Sequence, residues 1–372
     1  MIAALIVLTL LGLHWISALL VIRRFDRPAA DLPAGPLPRI SLIRPVCGLD
    51  THDPETFATS FDQIYPDWEL VFCVARADDP AIPVLRRLIA AHPQVEARLM
   101  IGDHPITRNP KLNNLWQGWN AAEGEFVVLS DCNVLLPPDY LHQVLAAWQA
   151  DTGLVSAPPV GVRAKGLWGA VEAAFLNGNQ ARLQLAADEL GFGFAQGKTL
   201  MWRKADLDDA GGLALLGQDL AEDVAATKVV RGMGLQVRLT QDPFAQPIGQ
   251  RRLGQVWGRQ LRWSRVRRAG FPALFLLEPL NGPLIPLVLT LGFAPSALAP
   301  LLFAFAWYLP EGLLARQAGW RFAPIDLLAA MLRDVMMPVL WLFTFAGRGF
   351  DWRGTPMAPT QGGAIPMQVP AE

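Results

Sequence analysis

The sequence predicts an α/β domain held between membrane helices at the two ends of the chain. Short apolar runs alternate with amphipathic segments through the middle, roughly residues 39–270, and long uncharged stretches lie at either end. Over all 372 residues, 52% are hydrophobic and only 17% charged, which is too apolar for an ordinary soluble enzyme. The length suits one catalytic domain plus several membrane segments.

Residues 2–22 carry no Asp, Glu, Lys or Arg. They are long enough to cross a hydrocarbon core of roughly 30 Å. Arg23, Arg24 and Arg27 follow them. A signal peptide has its basic residues before the apolar stretch and a small-residue cleavage site after it. The reverse order here predicts an uncleaved anchor over residues 1–24. By the positive-inside bias, the arginines place the next domain in the cytosol.

That domain is expected over residues 39–252. Residues 41–43, 70–74, 98–101 and 126–130 read as strands, and 80–91, 111–122 and 138–150 as intervening helices. Proline near the start of the first and third helices suits an N-terminal turn. The alternation predicts a mostly parallel sheet with helices on its faces, and such sheets bind ligands at the carboxyl ends of their strands. Asp79 and Asp131 both occur where strands end. No Gly-x-Gly-x-x-Gly run follows a strand and no Gly-x-x-x-x-Gly-Lys-Ser/Thr loop is present. Dinucleotide-binding and P-loop kinase sites are therefore not expected.

Residues 253–278 form a basic region expected at the membrane interface. Residues 279–310 are uncharged but punctuated by Pro283, Pro286, Pro295 and Pro300, so one tilted helix, two short ones or a broken segment all fit. A further run, 325–346, contains Arg333 and Asp334, which must pair, line a polar cavity or lie near the interface. Residues 279–347 thus read as two or three spans. Arg348 and Arg353 favour a cytosolic tail over 348–372, and its Pro/Gly-rich end from Thr355 is expected to be disordered.

A net charge of -1 gives no global attraction to nucleic acid. Cys47, Cys73 and Cys132 have no zinc-site spacing, and an odd number gives no disulfide framework, which fits a reduced, cytosol-facing compartment. The histidines, His14, His52, His92, His104 and His142, are scattered and read as structural or surface residues.

Four sites carry possible chemistry: Asp78-Asp79, Asp131 with Asn133, Glu222-Asp223, and the box from Arg259 through Arg262 to Trp263. Asp131 and Asn133 offer two hard oxygens to one divalent ion, whose other ligands are normally substrate phosphates and water. They equally suit a turn at a strand end. Glu222-Asp223 falls in a helical stretch, 219–231, as solvated surface or as a base aimed into a cleft. Arg259, Arg262 and Trp263 stand at i, i+3 and i+4, one face of a helix. Two guanidinium forks can take a leaving diphosphate and a Trp can pack over a sugar or lipid, but Arg and Trp also populate membrane-interface belts. Together, in this order beside membrane sequence, the sites suit an enzyme acting on a metal-bound diphosphate with a lipid as second substrate.

The combination resembles the ceramide glucosyltransferases, membrane enzymes of glycosyltransferase family 21 within the wider family 2 group. The residues that carry it are 41–50 (SLIRPVCGLD), Tyr65-Pro66, 73–81 (CVARADDPA), 109–115 (NPKLNNL), 203–212 (RKADLDDAGG), 221–223 (AED) and 259–263 (RQLRW). The 109–115 stretch and the Asp-Asp-Pro-Ala run narrow the resemblance to the ceramide-type branch.

This resemblance implies a GT-A fold with transmembrane helices at both ends, a UDP-sugar donor, a divalent metal (Mg or Mn) and inversion at the anomeric carbon. By matched position, Asp79 would contact the uridine part of the donor with Lys111 nearby, and Asp131 and Asn133 would sit at the metal and diphosphate. Asp223 would be the general base. Arg259, Arg262 and Trp263 would hold the diphosphate and help form the acceptor site. The expected reaction moves glucose from UDP-glucose to the primary hydroxyl of ceramide, at a membrane, with the bacterial inner membrane as the expected setting. Transfer of glucose, galactose or N-acetylglucosamine to diacylglycerol, a sterol or a hopanoid is the alternative. A processive polysaccharide synthase shares the fold, but few membrane segments are left for a polymer channel. A catalytically dead scaffold is at odds with the presence of every acidic site.

Two departures stand out. Asn133 takes a position where many family 2 enzymes have Asp. A His-Pro pair of the ceramide-type enzymes is replaced by the run around Asn179-Gln180-Ala181. The segment from there through residues 191–197 (GFGFAQG) is where a lipid headgroup is expected.

Overall fold

A computed structural model describes residues 1–32, 35–294, 296, 298–347, 349–352 and 355–357. The chain divides into two compact units. One comprises Met1–Ala29, Pro159–Gly193 and Gln246–Arg348, the other Ala30–Pro158, Phe194–Ala245 and Gly349–Glu372. The division differs from a single central domain over 39–252, because residues 159–193 belong with the terminal helices.

The strands in chain order are β1 (Ile40–Val46), β2 (Trp68–Val74), β3 (Ala97–Ile101), β4 (Phe126–Ser130), β5 (Thr152–Ser156), β6 (Pro159–Lys165), β7 (Thr199–Arg203), β8 (Gln236–Leu239), β9 (Phe244–Gln250), β10 (Phe350–Trp352) and β11 (Thr355–Met357). Seven of them form one sheet in the order β3-β2-β1-β4-β7-β5-β8. The first four are parallel, as the alternating pattern predicts, while β7 runs antiparallel to β4 and β5. The sheet is thus mixed.

Both faces are covered, so the strands are continuous apolar runs rather than alternating ones. Successive side chains of a strand point to opposite faces. Phe126 and Val128 accordingly enter a core with Leu85, Tyr140 and Leu145, whereas Val127 and Leu129 enter a second core with Leu115, Trp119 and Val230. The helices of this unit include Ile82–Ala91, Pro110–Ala121, Tyr140–Ala146 and Glu222–Gly232. The third is shorter than the expected 138–150. The Gln149 N–H is taken by the Thr152 hydroxyl in a turn that leads into β5. Tail residues 355–357, expected to be disordered, pair with β10. Arg348, Arg353 and residues 358–372 lie outside the described residues.

The other unit is helical apart from β6 and β9, which pair. Ile2–Phe25, Leu298–Gln317 and Pro324–Thr344 are long and apolar enough to cross a membrane, and the bent pair Pro272–Asn281 and Leu284–Phe293 (48°) gives a fourth candidate. The proline-punctuated 279–310 run is therefore broken. Leu8, Ile16, Leu301, Phe305, Leu328 and Leu342 are exposed along these helices. So much outward apolar surface is what a lipid environment requires.

Arg333 and Asp334, costly at membrane depth unless paired, are both buried and paired. Arg333 spans Glu311 through two bonds (3.0 and 2.8 Å) and also reaches Asp334 (2.8 Å), which accepts from the Tyr308 hydroxyl (2.8 Å). Arg24 pairs with Asp188 and Glu189, and Arg27 with Glu189, so these arginines also tie the first helix to the segment ending at Glu189.

Candidate active site in the sheet unit

The site grows from the carboxyl end of β4. Antiparallel pairing sets Ser130 opposite Thr199, and one step further the Asp131 N–H donates to the Lys198 carbonyl (3.0 Å). This ladder step brings the Lys198 side chain to the loop after β4. Its ammonium lies 2.8 Å from Asp131 Oδ2 and 2.9 Å from Asn133 Oδ1. The loop is pinned from behind by the fully buried Arg44, whose guanidinium donates to the carbonyls of Asp131 (2.7 Å) and Val134 (2.8 Å). Burial pushes the Cys132 thiol up to about 12, with Asp53 and Asp131 adding to it, so this cysteine is no thiolate nucleophile at neutral pH.

Lys111 supplies a second cation. Asn109 caps the helix Pro110–Ala121 by accepting from the Lys111 N–H (2.9 Å), which fixes the first turn. From there the Lys111 ammonium reaches Asp131 Oδ1 (2.6 Å), Glu222 Oε1 (2.6 Å) and the Gly197 carbonyl (2.7 Å). Asn109 also donates to Glu222 Oε2 (3.1 Å). Burial alone would lower the Lys111 pKa, but the Asp131 and Glu222 carboxylates outweigh it and hold the group above its ordinary value. Burial would raise Asp131, yet Lys111 and Lys198 hold its carboxyl below the usual range. Gly197 lets these groups meet, since a Cβ there would lie 2.6 Å from Glu222 Oε1.

Glu222 and Asp223 therefore take different roles. Helix Glu222–Gly232 starts at this pair instead of carrying it mid-helix. Glu222 turns inward to Lys111 and Asn109. Asp223 is half-buried and accepts from the Gly197 N–H (3.0 Å) and the Val224 N–H (2.8 Å). Its carboxyl has no ammonium partner at ion-pair distance among the described residues. Burial first, and the neighbouring Glu222 charge second, push its pKa up to about 6. Such a carboxylate is ionised at neutral pH and remains basic enough to accept a proton.

Asp79 sits apart from this cluster in the loop after β2. It accepts from the Gly48 N–H (2.7 Å) and the Ala81 N–H (2.9 Å), tying the loops after β1 and β2 together. Asp78 is exposed and pairs with Arg76. Arg259, Arg262 and Trp263 belong to the other unit, on helix Leu253–Gly270, so their spacing does place them on one helical face. Arg259 is committed in part, donating to the buried Glu172 (2.6 Å).

Of the residues expected from sequence, Asp131, Asn133, Lys111 and Asp223 converge in one place. Lys198, Glu222 as a partner of Lys111, and Asn109 were missed. The 109–115 run was the available signal for Asn109, while Lys198 had none.

A divalent ion suits hard oxygens, and Lys198 shows that Asp131 and Asn133 can direct two of them at one cation. Among the described residues no group of three or more His, Cys, Asp or Glu could hold a metal. Substrate oxygens and water would have to complete the shell, which is usual for Mg²⁺.

The sequence model of glycosyl transferase family 21 matches residues 3–365. The chain belongs to this family. Among curated relatives, ceramide glucosyltransferase 1 of Caenorhabditis elegans is 30% identical over 251 residues, covering 67% of this chain and 54% of that protein. Ceramide glucosyltransferase 3 of the same organism is 26% identical over 342 residues, covering 88% and 74%. The chain thus spans little more than half the length of the first of these relatives. Among solved structures, a mannosyltransferase from Pyrobaculum calidifontis in complex with GDP-Man and Mn²⁺ aligns with a TM-score of 0.55 at 19% identity, over 94% of this chain and 99% of that one. That likeness shows the fold: a GT-A α/β domain in a chain with apolar terminal helices.

Proposed function

We propose that this protein is a membrane-bound transferase that moves glucose from UDP-glucose to the primary hydroxyl of a ceramide-like lipid, with inversion. The observation that carries the reading is Asp223, a carboxylate with a pKa of about 6 beside a cluster of two lysines and two further acids at the carboxyl end of the sheet. Family membership and the two nematode ceramide glucosyltransferases support the sugar and the acceptor class.

Asp223 takes the proton of the lipid hydroxyl as its oxygen attacks the anomeric carbon. The bond from that carbon to the diphosphate oxygen breaks, and UDP leaves with the bonding electrons. One attack from the face opposite the leaving group inverts the centre. Lys111 and Lys198 bring positive charge to the side where diphosphate charge develops. Asp131 and Asn133 would hold a divalent ion, Mg²⁺ or Mn²⁺, which when bound neutralises diphosphate charge. Asp79 is assigned to the uridine end of the donor, and Arg259, Arg262 and Trp263 to the diphosphate and acceptor. The sheet unit is assigned to the cytosolic side by Arg23, Arg24 and Arg27.

The test is purified enzyme with radiolabelled UDP-sugars and a panel of ceramide, diacylglycerol, sterol and hopanoid. A one-sugar ceramide from UDP-glucose supports the reading. A long polymer, or no product with any lipid, defeats it.

A further inference from the structure

Within the helical unit, residues 166–189 form a helix interrupted by a π-helical stretch, Phe175–Ala181. Such stretches are rare and frequent at functional sites, because the wider turn re-aims side chains. This one is held from several sides. Asn177 exchanges two hydrogen bonds with the backbone of Gly161 (2.7 and 3.2 Å). Arg182 Nε donates to the Gly178 carbonyl (2.7 Å), and Arg333 to that of Ala174 (3.3 Å). Gly178 packs directly on the buried charge cluster, where a Cβ would lie 2.5 Å from Arg333 Nη1 and 2.7 Å from Glu311 Oε2.

The turn presents Gln180, whose Nε2 donates to Oε1 of Gln260 (3.3 Å), the residue between Arg259 and Leu261 in the basic-aromatic box. Gln260 is 97% buried, being 3% exposed. Gln180 Oε1 and Gln260 Nε2 are buried and have no hydrogen-bond partner among the described residues. The pair therefore keeps one unpaired acceptor and one unpaired donor. Turning both amides about reverses their mutual bond and again leaves one donor and one acceptor. Buried amide groups left in this state cost free energy unless something binds them.

We propose that Gln180 and Gln260 read the amide of the lipid acceptor. A secondary amide offers one N–H and one C=O, which match the spare acceptor and the spare donor. An ester offers only acceptor oxygens and would leave Gln180 Oε1 or its flipped equivalent unpaired. A site built to satisfy buried polar groups rejects the analogue that lacks them more strongly than an apolar pocket can. The inference rests on the lipid-acceptor reading above and adds the feature by which an N-acyl lipid is told from a diacyl one.

The experiment compares purified wild type, Gln180→Leu and Gln260→Leu with UDP-glucose and two acceptors of matched acyl length. One is a ceramide, and the other a 1,2-diacylglycerol with a free primary hydroxyl. Wild type should prefer the ceramide. In either variant the ceramide-to-diacylglycerol ratio of kcat/KM should fall about tenfold, the value of one neutral hydrogen bond. Gln180→Asn, which withdraws the same amide by one methylene, should lower the ratio in the same direction if the leucine variants fail to fold. An unchanged ratio in the folded variants overturns the amide reading alone, as does a wild type that uses both lipids equally. A wild type that glycosylates no lipid takes down the acceptor reading, and this inference with it.

Discussion

Lys111 Nζ lies 2.6 Å from Glu222 Oε1, a buried ion pair formed by the first turns of two helices far apart in sequence. The pair sets the charge around Asp223. Glu222 adds a negative charge next to Asp223, the proposed base, and Lys111 a positive one, and with burial the balance leaves Asp223 near pH 6. The neighbour, as much as the base itself, should govern the pH dependence of transfer.

Glu222→Gln removes a charge that disfavours ionised Asp223, so Asp223 should ionise at lower pH. In wild type, kcat/KM should fall as pH drops through about 6, because protonated Asp223 accepts no proton. The variant's acid limb should lie at lower pH, whatever its absolute rate. A pH profile over both proteins checks this, and a limb that moves to higher pH would contradict it.

Asp223→Asn keeps the shape of the side chain and removes the proposed base. Turnover should drop roughly 10²- to 10⁴-fold, the usual worth of a positioned general base, while UDP binding measured by calorimetry is retained. Near-normal turnover in this variant would sink the assignment.

Lys198→Ala should free the oxygens of Asp131 and Asn133 that its ammonium now bridges at 2.8 and 2.9 Å. Without that tethered cation, Mn²⁺ should bind the nucleotide-free protein more tightly than it binds wild type. Titration followed by electron paramagnetic resonance reads this directly. Equal or weaker Mn²⁺ binding in the variant would show that Lys198 does not compete for the cation position.

What the sequence made legible follows from how local each feature is. Asp131 could be found because a five-residue apolar strand ends just before it, and the face shared by Arg259, Arg262 and Trp263 needs only helical periodicity. The parallel half of the sheet was legible for the same reason. Lys198 was not, because its meeting with Asp131 depends on β7 entering antiparallel beside β4, a pairing between segments almost 70 residues apart that no short pattern encodes. Glu222 looked like solvated helix surface, since nothing nearby in sequence announces that Lys111 will neutralise it. Gln180 and Gln260 each lie in a stretch the sequence singles out, residues 179–181 and 259–263, but nothing in either stretch announces their pairing, which the π-helical turn makes. Residues 159–193 fall inside the expected 39–252 domain but pack with the terminal helices, a long-range grouping that no local pattern encodes.

The buried charges of the helical unit give a stability test. Arg333 is 2% exposed, and its guanidinium joins Glu311 and Asp334. Removing one partner of a buried pair strands the other charge, which typically costs about 3–5 kcal/mol. Arg333→Met should therefore lower the unfolding midpoint in detergent sharply, since Glu311 and Asp334 would lose the guanidinium they share. Adding Glu311→Gln should recover part of the loss, because Asp334 keeps the Tyr308 hydroxyl as a hydrogen-bond donor. The same substitution removes the arginine on which Gly178 packs, so the π-helical turn should loosen as well. Hydrogen exchange over residues 175–181 should then rise in Arg333→Met above the increase seen elsewhere in the unit. Uniform exchange across the unit would mean that the cluster supports the bundle as a whole rather than the turn.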